Sequence, residues 1–161
     1  MNAGSYESAV IVEANDGSIT KTASVNVTIN HGTLDRVLLT PEKVDLDIGQ
    51  SQEFSAEAMD SYGNLIPDLE IRWEAAEGLG TVDNGVLTAG TLAESYGEGL
   101  MAIAVLDGIN VEASSAVIVK PDVPAALTIA GFDSVGAGSE QHLEAEITDQ
   151  YGNIVKDTPV T

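Results

Sequence analysis

The sequence predicts an all-β protein built from tandem repeats, each folding as an antiparallel β-sandwich. Three observations lead to this prediction: a segment recurs about ninety positions later, short stretches alternate between apolar and polar residues, and glycine-containing turns separate those stretches. Alternation with a period of two turns one face of a strand inward and the other toward water. No segment carries the apolar stripe of an amphipathic helix.

The repeat is clearest around one five-residue motif. Asp60-Ser-Tyr-Gly-Asn64 recurs as Asp149-Gln-Tyr-Gly-Asn153, 89 positions later, and nine of the twenty positions from Gly49 onward are identical at this offset. Ser5-Tyr6 recurs as Ser95-Tyr96, 90 positions later. The offsets predict the C-terminal part of a first repeat in residues 1–31, a complete repeat in 32–120, and the N-terminal part of a third repeat in 121–161.

The complete repeat is predicted to contain seven short strands, the number expected of a small sandwich. Phe54, Ala56 and Ala58 share one face of the third strand, which we expect to be buried, and Trp73 shares the inward face of the fourth strand with Ile71. The predicted strands span residues 36–40, 44–48, 52–59, 70–75, 85–89, 100–106 and 110–119.

The turns between these strands have identifiable causes. Tyr62-Gly-Asn64 and Asp107-Gly108 supply residues that accept a positive φ. Gly78 and Gly80 would weaken a helix, so the stretch between Trp73 and Val82 is predicted to be a loop.

Composition excludes several classes of function. The chain has 26 Asp and Glu residues against 6 Lys and Arg, a net charge of −20 that repels phosphate backbones, so no nucleic acid partner is expected. It has no cysteine, which excludes disulfides, thiolate metal sites and a cysteine nucleophile. No apolar run approaches the roughly 20 residues that span a bilayer, so no membrane insertion is predicted for these residues.

The two histidines give little support for catalysis. His31 falls between two predicted repeats and His142 on a polar strand face, and both are predicted to be solvated side chains. A catalytic triad would then have no proton carrier. Paired carboxylates need a cleft, which small sandwiches rarely provide. We therefore predict that the chain is not an enzyme and name no catalytic or cofactor-binding residue.

Calcium is the one cofactor that the sequence leaves open. Asp side chains in turns near the repeat junctions could supply oxygen ligands, although the chain has no Asp-x-Asp-x-Asp-Gly loop and acidic turn residues usually cap backbone N–H groups. We therefore expect no bound cofactor, with calcium kept as the alternative. Its candidate ligands are Asp45, Asp47, Asp60, Asp68, Asp133 and Asp149.

The segment 58–73, AMDSYGNLIPDLEIRW, followed by 80–90, GTVDNGVLTAG, resembles a bacterial immunoglobulin-like (Ig-like) domain. It is similar to the repeats of invasin- and intimin-type adhesins and of surface-layer proteins. The resemblance implies an Ig-like sandwich in which the Asp-x-x-Gly-Asn turn links the second and third strands and Trp73 fills the core. It brings no catalytic residues.

The resemblance also implies a role outside the cell. We expect a structural or adhesive array of Ig-like repeats that acts as stalk or spacer in a bacterial or archaeal cell-surface or secreted protein. The alternative is an accessory carbohydrate- or protein-binding module of a secreted multidomain enzyme.

The expected partners are the neighbouring repeats, a surface protein or glycan, and another copy of the chain. Residues 1–31 and 121–161 correspond to nearly complementary parts of one repeat. Unpaired strand edges invite pairing, so we expect these parts, from one chain or from two copies, to pack as a composite domain. The alternative is that both parts extend the sheets of the middle repeat.

Overall fold

The computed structural model describes residues 2–131, 134, 136–140 and 142–156. Across these residues the protein is all-β, and none of them belongs to a helix that is long and apolar enough to cross a bilayer. Its thirteen strands are β1 (Gly4–Asn15), β2 (Thr20–Ile29), β3 (Leu34–Thr40), β4 (Lys43–Asp47), β5 (Ser51–Glu53), β6 (Ser55–Asp60), β7 (Ile71–Ala75), β8 (Gly80–Asp83), β9 (Val86–Ala89), β10 (Ser95–Leu106), β11 (Ile109–Lys120), β12 (Ala126–Ala130) and β13 (Glu144–Thr148).

Within the described residues the strands form five sheets. The largest has the order β4-β11-β10-β7, a three-stranded sheet has the order β5-β9-β8, and β3-β6, β1-β2 and β12-β13 are pairs. β4 runs parallel to β11, with Val44 opposite Val117, which departs from the antiparallel pattern that we predicted. The reason is that β4 and β11 are distant in sequence, so no hairpin dictates their relative direction.

One predicted strand, 52–59, is wrong as a single element. The chain breaks at Phe54, and β5 joins the sheet of β9 while β6 pairs with β3. The Phe54 N–H donates to the Gly85 carbonyl at 2.8 Å, and the Phe54 side chain is buried. The predicted alternation still holds, because Ser55 and Glu57 are exposed and Ala58 is buried.

The predicted loop between Trp73 and Val82 is also wrong in its last part, where β8 begins at Gly80. Thr81 lies opposite Thr88 of β9, and the Gly90 N–H donates to Leu79 O at 2.7 Å. Gly80 has a φ of +141°, and a Cβ there would collide with the Thr88 carbonyl. Gly80 is expected to disfavour a helix, and in the structure its lack of a Cβ allows β8 and β9 to approach closely.

The turn residues behave as predicted, with one exception. Gly63, Asp107 and Gly108 have φ values of 80°, 51° and 80°. Asn64 does not adopt a positive φ, so its presence in the motif needs another explanation.

The chain divides into two compact units. One contains β1, β2, most of β3 and β6, the end of β10 and the start of β11. Its core joins Leu34, Ala58, Ile66 and Ala104, which are all buried. Partly buried side chains packed against this core are Val37, Leu69, Ile71, Leu106 and Val111.

The other unit contains β4, β5, β8, β9, β12, β13, most of β7, and the remaining parts of β10 and β11. Its fully buried side chains include Leu46, Leu79, Leu87, Leu100 and Val117. Most of these aliphatic side chains come from strands, but Leu79 lies in the turn before β8. Burial of Leu79 therefore stabilises the position of this turn.

Candidate functional site

The two copies of the Asp-x-Tyr-Gly-Asn motif form the same backbone turn. In the first turn (60–64) the Asp60 N–H donates to Asn64 O at 3.0 Å, and the Gly63 N–H donates to Asp60 O at 3.0 Å. In the second turn (149–153) the corresponding distances are 2.9 Å and 3.2 Å.

The carboxylate of Asp60 organises the first turn. Its Oδ1 accepts the N–H groups of Tyr62 at 2.9 Å and Asn64 at 2.8 Å. Its Oδ2 accepts the Asn64 side-chain Nδ2 at 2.8 Å and the N–H of Gly32 at 2.6 Å. Asp60 is completely buried, so these four donors replace the water that its carboxylate gives up.

Asp149 repeats this arrangement in the second turn. Its Oδ1 accepts the N–H groups of Tyr151 and Asn153 at 2.8 and 2.9 Å. Its Oδ2 accepts Asn153 Nδ2 at 2.8 Å and the N–H of Asp122 at 3.0 Å. Asp122 lies 90 positions after Gly32, so the donors recur with the sequence repeat.

These hydrogen bonds keep both carboxylates ionised. Burial alone raises the pKa of Asp149, but donors from the Asn153 side chain and from the Asp122, Asn153 and Tyr151 backbone outweigh burial and lower the pKa from 3.8 to about 2. The pKa of Asp60 is likewise raised by burial, and the equivalent donors hold it well below its usual range.

The asparagine of each turn reaches a segment far away in sequence. Asn64 Oδ1 accepts the N–H of Ala3 at 2.8 Å, and Asn153 Oδ1 accepts the N–H of Ala93 at 2.9 Å. Asn153 Nδ2 also donates to Thr91 O at 2.9 Å. Ala3 and Ala93 are 90 positions apart and lie just before β1 and β10, so each asparagine anchors the entry to a long strand.

Each turn is therefore built to hold backbone rather than to do chemistry. A carboxylate accepts about four hydrogen bonds, and both aspartates have four N–H donors. A cation could bind these oxygens only by displacing a donor. With a lowered pKa, neither carboxyl is suited to carry a proton near neutral pH.

The other predicted calcium ligands among the described residues lie outside these two turns. Asp45 is exposed on β4, 3.7 Å from Lys120 Nζ. Asp47 and Asp68 are exposed, the latter with a φ of 58°, and Asp133 lies outside the described residues. No group of three or more His, Cys, Asp or Glu side chains among the described residues is arranged to hold a metal ion.

The remaining residues singled out from the sequence occupy separate positions. His31 Nδ1 is 2.8 Å from Gly32 O, and His142 is exposed. Trp73 is only half-buried, although it shares the inward face with Ile71, and its ring lies against Gly85. Tyr62 and Tyr151 are 70% and 49% exposed, and in both turns the tyrosine backbone N–H donates to the aspartate.

Sequence reasoning missed the role of Asn64 and Asn153. The sequence predicts a residue with positive φ in Tyr62-Gly-Asn64, but Gly63 supplies it, as Gly152 does in the second turn. The sequence does contain a signal for this role. An asparagine that is present in both copies beside a glycine is not needed to provide the positive φ of the turn. Its side chain can then bind another segment of the chain. The partners Ala3 and Ala93 carry no side-chain signal, because only their backbone takes part.

Comparison with solved structures finds similarity to parts of a surface-layer protein. The crystal structure of the S-layer protein rSbsC(31-844) matches with 19% identity over 95% of this chain and 20% of that chain, with a TM-score of 0.41. Domains 4-9 of surface layer protein SbsC match with 19% identity over 95% of this chain and 25% of that chain, with a TM-score of 0.44. The chain thus spans a quarter or less of the length of these structures. No family model and no curated protein matches the chain.

Proposed function

We propose that the chain is a structural segment of a cell-surface or secreted protein, in which Ig-like sandwich repeats follow one another as a stalk or spacer. One observation carries this proposal: both Asp-x-Tyr-Gly-Asn turns form the same set of long-range hydrogen bonds, with partners displaced by 90 residues. Such recurrence is expected of units stacked by nearest-neighbour contacts.

In this proposal each turn fixes one repeat to the next. The aspartate binds the linker that leads into its own repeat, at Gly32 or Asp122, while the asparagine binds the residue before a long strand of the preceding repeat, at Ala3 or Ala93. The two side chains are themselves hydrogen-bonded, at 2.8 Å in each turn. Linker and preceding repeat are thereby held to one rigid turn, which stiffens the junction.

The charge of the chain suits a solvated surface position. The net charge of −20 is carried mainly by exposed carboxylates, and among them Glu13, Glu57, Glu74 and Glu112 lie on outward strand faces. Repulsion between such surfaces keeps neighbouring molecules soluble.

The junction is tested with Asn153→Ala and, as a matched control in the same turn, Tyr151→Ala. Asn153→Ala removes the acceptor of the Ala93 N–H and leaves buried polar groups unpaired, so we expect a loss of about 1–3 kcal/mol in the free energy of unfolding. Hydrogen exchange at the Ala93 amide should become at least about tenfold faster. Tyr151→Ala removes an exposed ring and should change neither quantity. Equal exchange rates in both variants would contradict the junction role.

The location is tested with antibodies raised against the chain. We expect them to label intact, non-permeabilised cells of the source organism or to detect the protein in the culture medium, with a cytoplasmic protein as the negative control. Labelling only after permeabilisation would contradict the proposed location.

The alternative, an accessory binding module, is favoured by one observation. Tyr62 and Tyr151 present exposed rings at equivalent turns, and exposed aromatic rings can stack on sugars. Pull-down with insoluble polysaccharides separates the two functions, because a binding module should lose binding in Tyr62→Ala and Tyr151→Ala, whereas a spacer binds none.

A further inference from the structure

The β1-β2 hairpin has one apolar face that is largely exposed among the described residues. Val10 lies opposite Val25 and Val12 opposite Ala23, so these four side chains share a face. Val10, Val12 and Val25 are 52%, 63% and 59% exposed. The other face is largely polar, with Ile11 opposite Ser24 and Glu13 opposite Thr22.

The β12-β13 pair has a similar uncovered face. Leu127 lies opposite Ile147 and Ile129 opposite Ala145, while Thr128 and Glu146 share the other face. Leu127 and Ile129 are 55% and 61% exposed. Contiguous apolar surface of this kind marks a binding surface.

In the middle of the chain, the positions equivalent to the first of these faces are buried. Ninety positions after Val10, Val12 and Ala14 are Leu100, Ala102 and Ala104 of β10, and all three are 0% exposed. The same sequence positions are therefore interior in one copy and uncovered in the other.

The second face has a buried counterpart as well. Ninety positions before Leu127 and Ile129 are Val37 and Leu39 of β3, the offset that also relates Gly32 to Asp122. Val37 packs against the core and Leu39 is 3% exposed.

The two kinds of face meet in one core. Leu34 of β3, Ala58 of β6 and Ala104 of β10 belong to a single buried cluster. Val37 of β3 packs against this cluster, so the β3-β6 face that holds Val37 and Ala58 covers β10 at Ala104. Of the two exposed faces, the one on β1-β2 corresponds to the face of β10, and the one on β12-β13 corresponds to the face of β3 and β6.

From this equivalence we infer a self-association site: the apolar face of β1-β2 in one copy packs on the apolar face of β12-β13 in a second copy, head to tail. Each face carries the counterparts of the side chains that cover the other kind of face in the described core, so a second copy can supply the cover. Burial of aliphatic side chains drives the contact.

Charge sets the conditions for this association. Each copy carries a net charge of −20, so two copies repel at low salt. At about 0.15 M salt the screening length is about 8 Å, and association should strengthen from low salt to this concentration.

Sedimentation equilibrium over a range of concentrations tests the site with the whole chain. Val12→Lys places a charge on the apolar face of β1 and should raise the dissociation constant at least about tenfold. Ile11→Lys is the matched control, because Ile11 is the next residue, is 64% exposed against 63% for Val12, and lies on the other face. We expect Ile11→Lys to associate like the unmodified chain.

Mixing two defective variants tests which faces meet. Val12→Lys leaves the β12-β13 face intact, and Ile129→Lys leaves the β1-β2 face intact, so each should be monomeric alone while their equimolar mixture forms a heterodimer. Recovery on mixing also shows that both variants are folded. A monomer at all concentrations and salt levels, equal effects of Val12→Lys and Ile11→Lys, or an Ile129→Lys variant that still associates with itself would each overturn the inference. None of these variants alters the Asp-x-Tyr-Gly-Asn turns, so failure here is separate from failure of the proposed function.

Discussion

At the scale of single residues, the two buried aspartates are stabilised entirely by neutral donors. Each carboxylate accepts four N–H groups from the described residues around its turn. Hydrogen bonds to a charged group are stronger than bonds between neutral groups, and this offsets the desolvation of Asp60 and Asp149. The same bonds order the backbone of the turn and join it to distant segments.

This arrangement predicts a stability that depends on acid pH. The pKa of Asp149 is about 2 in the folded state against an ordinary value of 3.8, so the folded state favours the ionised form. Its contribution to the free energy of unfolding is complete above the ordinary pKa and is lost as the pH falls through the folded pKa. We expect urea unfolding to show a marked loss of stability between about pH 4 and pH 2.

The matched variants for this prediction are Asp149→Asn and Asp35→Asn. Each removes one carboxylate, but Asp35 is exposed on β3. Asp149→Asn should be less stable at neutral pH and lose less stability between about pH 4 and pH 2, whereas Asp35→Asn should follow the unmodified chain. Parallel curves for all three proteins would contradict the role of Asp149.

At the scale of the strands, the chain passes from one sheet to another at two positions. At the break at Phe54, β5 pairs with β9 on one side and β6 pairs with β3 on the other. The segment between β3 and β4 is the other position, since β3 pairs with β6 and β4 with β11. Pro41 lies in this segment and lacks the N–H that a continuous ladder would need.

A glycine pair tests the close approach of β8 and β9. Gly80→Ala adds a Cβ that collides with Thr88 O at a φ of +141°, so we expect a loss of about 2 kcal/mol or more in the free energy of unfolding. Gly97→Ala is the control, because it lies in β10 with nothing within 4 Å of an added Cβ. Gly97→Ala should be neutral or stabilising by up to about 1 kcal/mol. Chemical denaturation of both variants checks this, and a neutral Gly80→Ala would refute the steric argument.

At the scale of the whole molecule, acidic surface and apolar faces have opposite effects. The charge of −20 keeps copies apart, while the uncovered faces of β1-β2 and β12-β13 favour association. The exposed ion pair between Asp45 and Lys120, at 3.7 Å, contributes little to this balance.

The remaining question for the whole molecule is calcium. We expect the melting temperature to be unchanged by EDTA, because Asp60 and Asp149 already have four N–H donors each and Asp45, Asp47 and Asp68 are exposed. Circular dichroism melts with EDTA and with added calcium check this, with magnesium as the control cation. A rise of several degrees with calcium alone would contradict the expectation.

Sequence by itself determined the strand content, most strand positions and the recurrence of one motif, because alternation and turn chemistry are local properties of the chain. The strands predicted at 36–40, 44–48, 70–75 and 110–119 correspond closely to β3, β4, β7 and β11. Tertiary structure alone decided the break at Phe54, since an alternating pattern reads the same whether or not the strand changes sheet. It also decided the strand at Gly80 and the binding of Ala3 and Ala93 by the two asparagines. The last of these features depends on two backbone N–H groups that meet side chains about sixty residues away, and a backbone N–H is common to all residues except proline, so the sequence does not distinguish it.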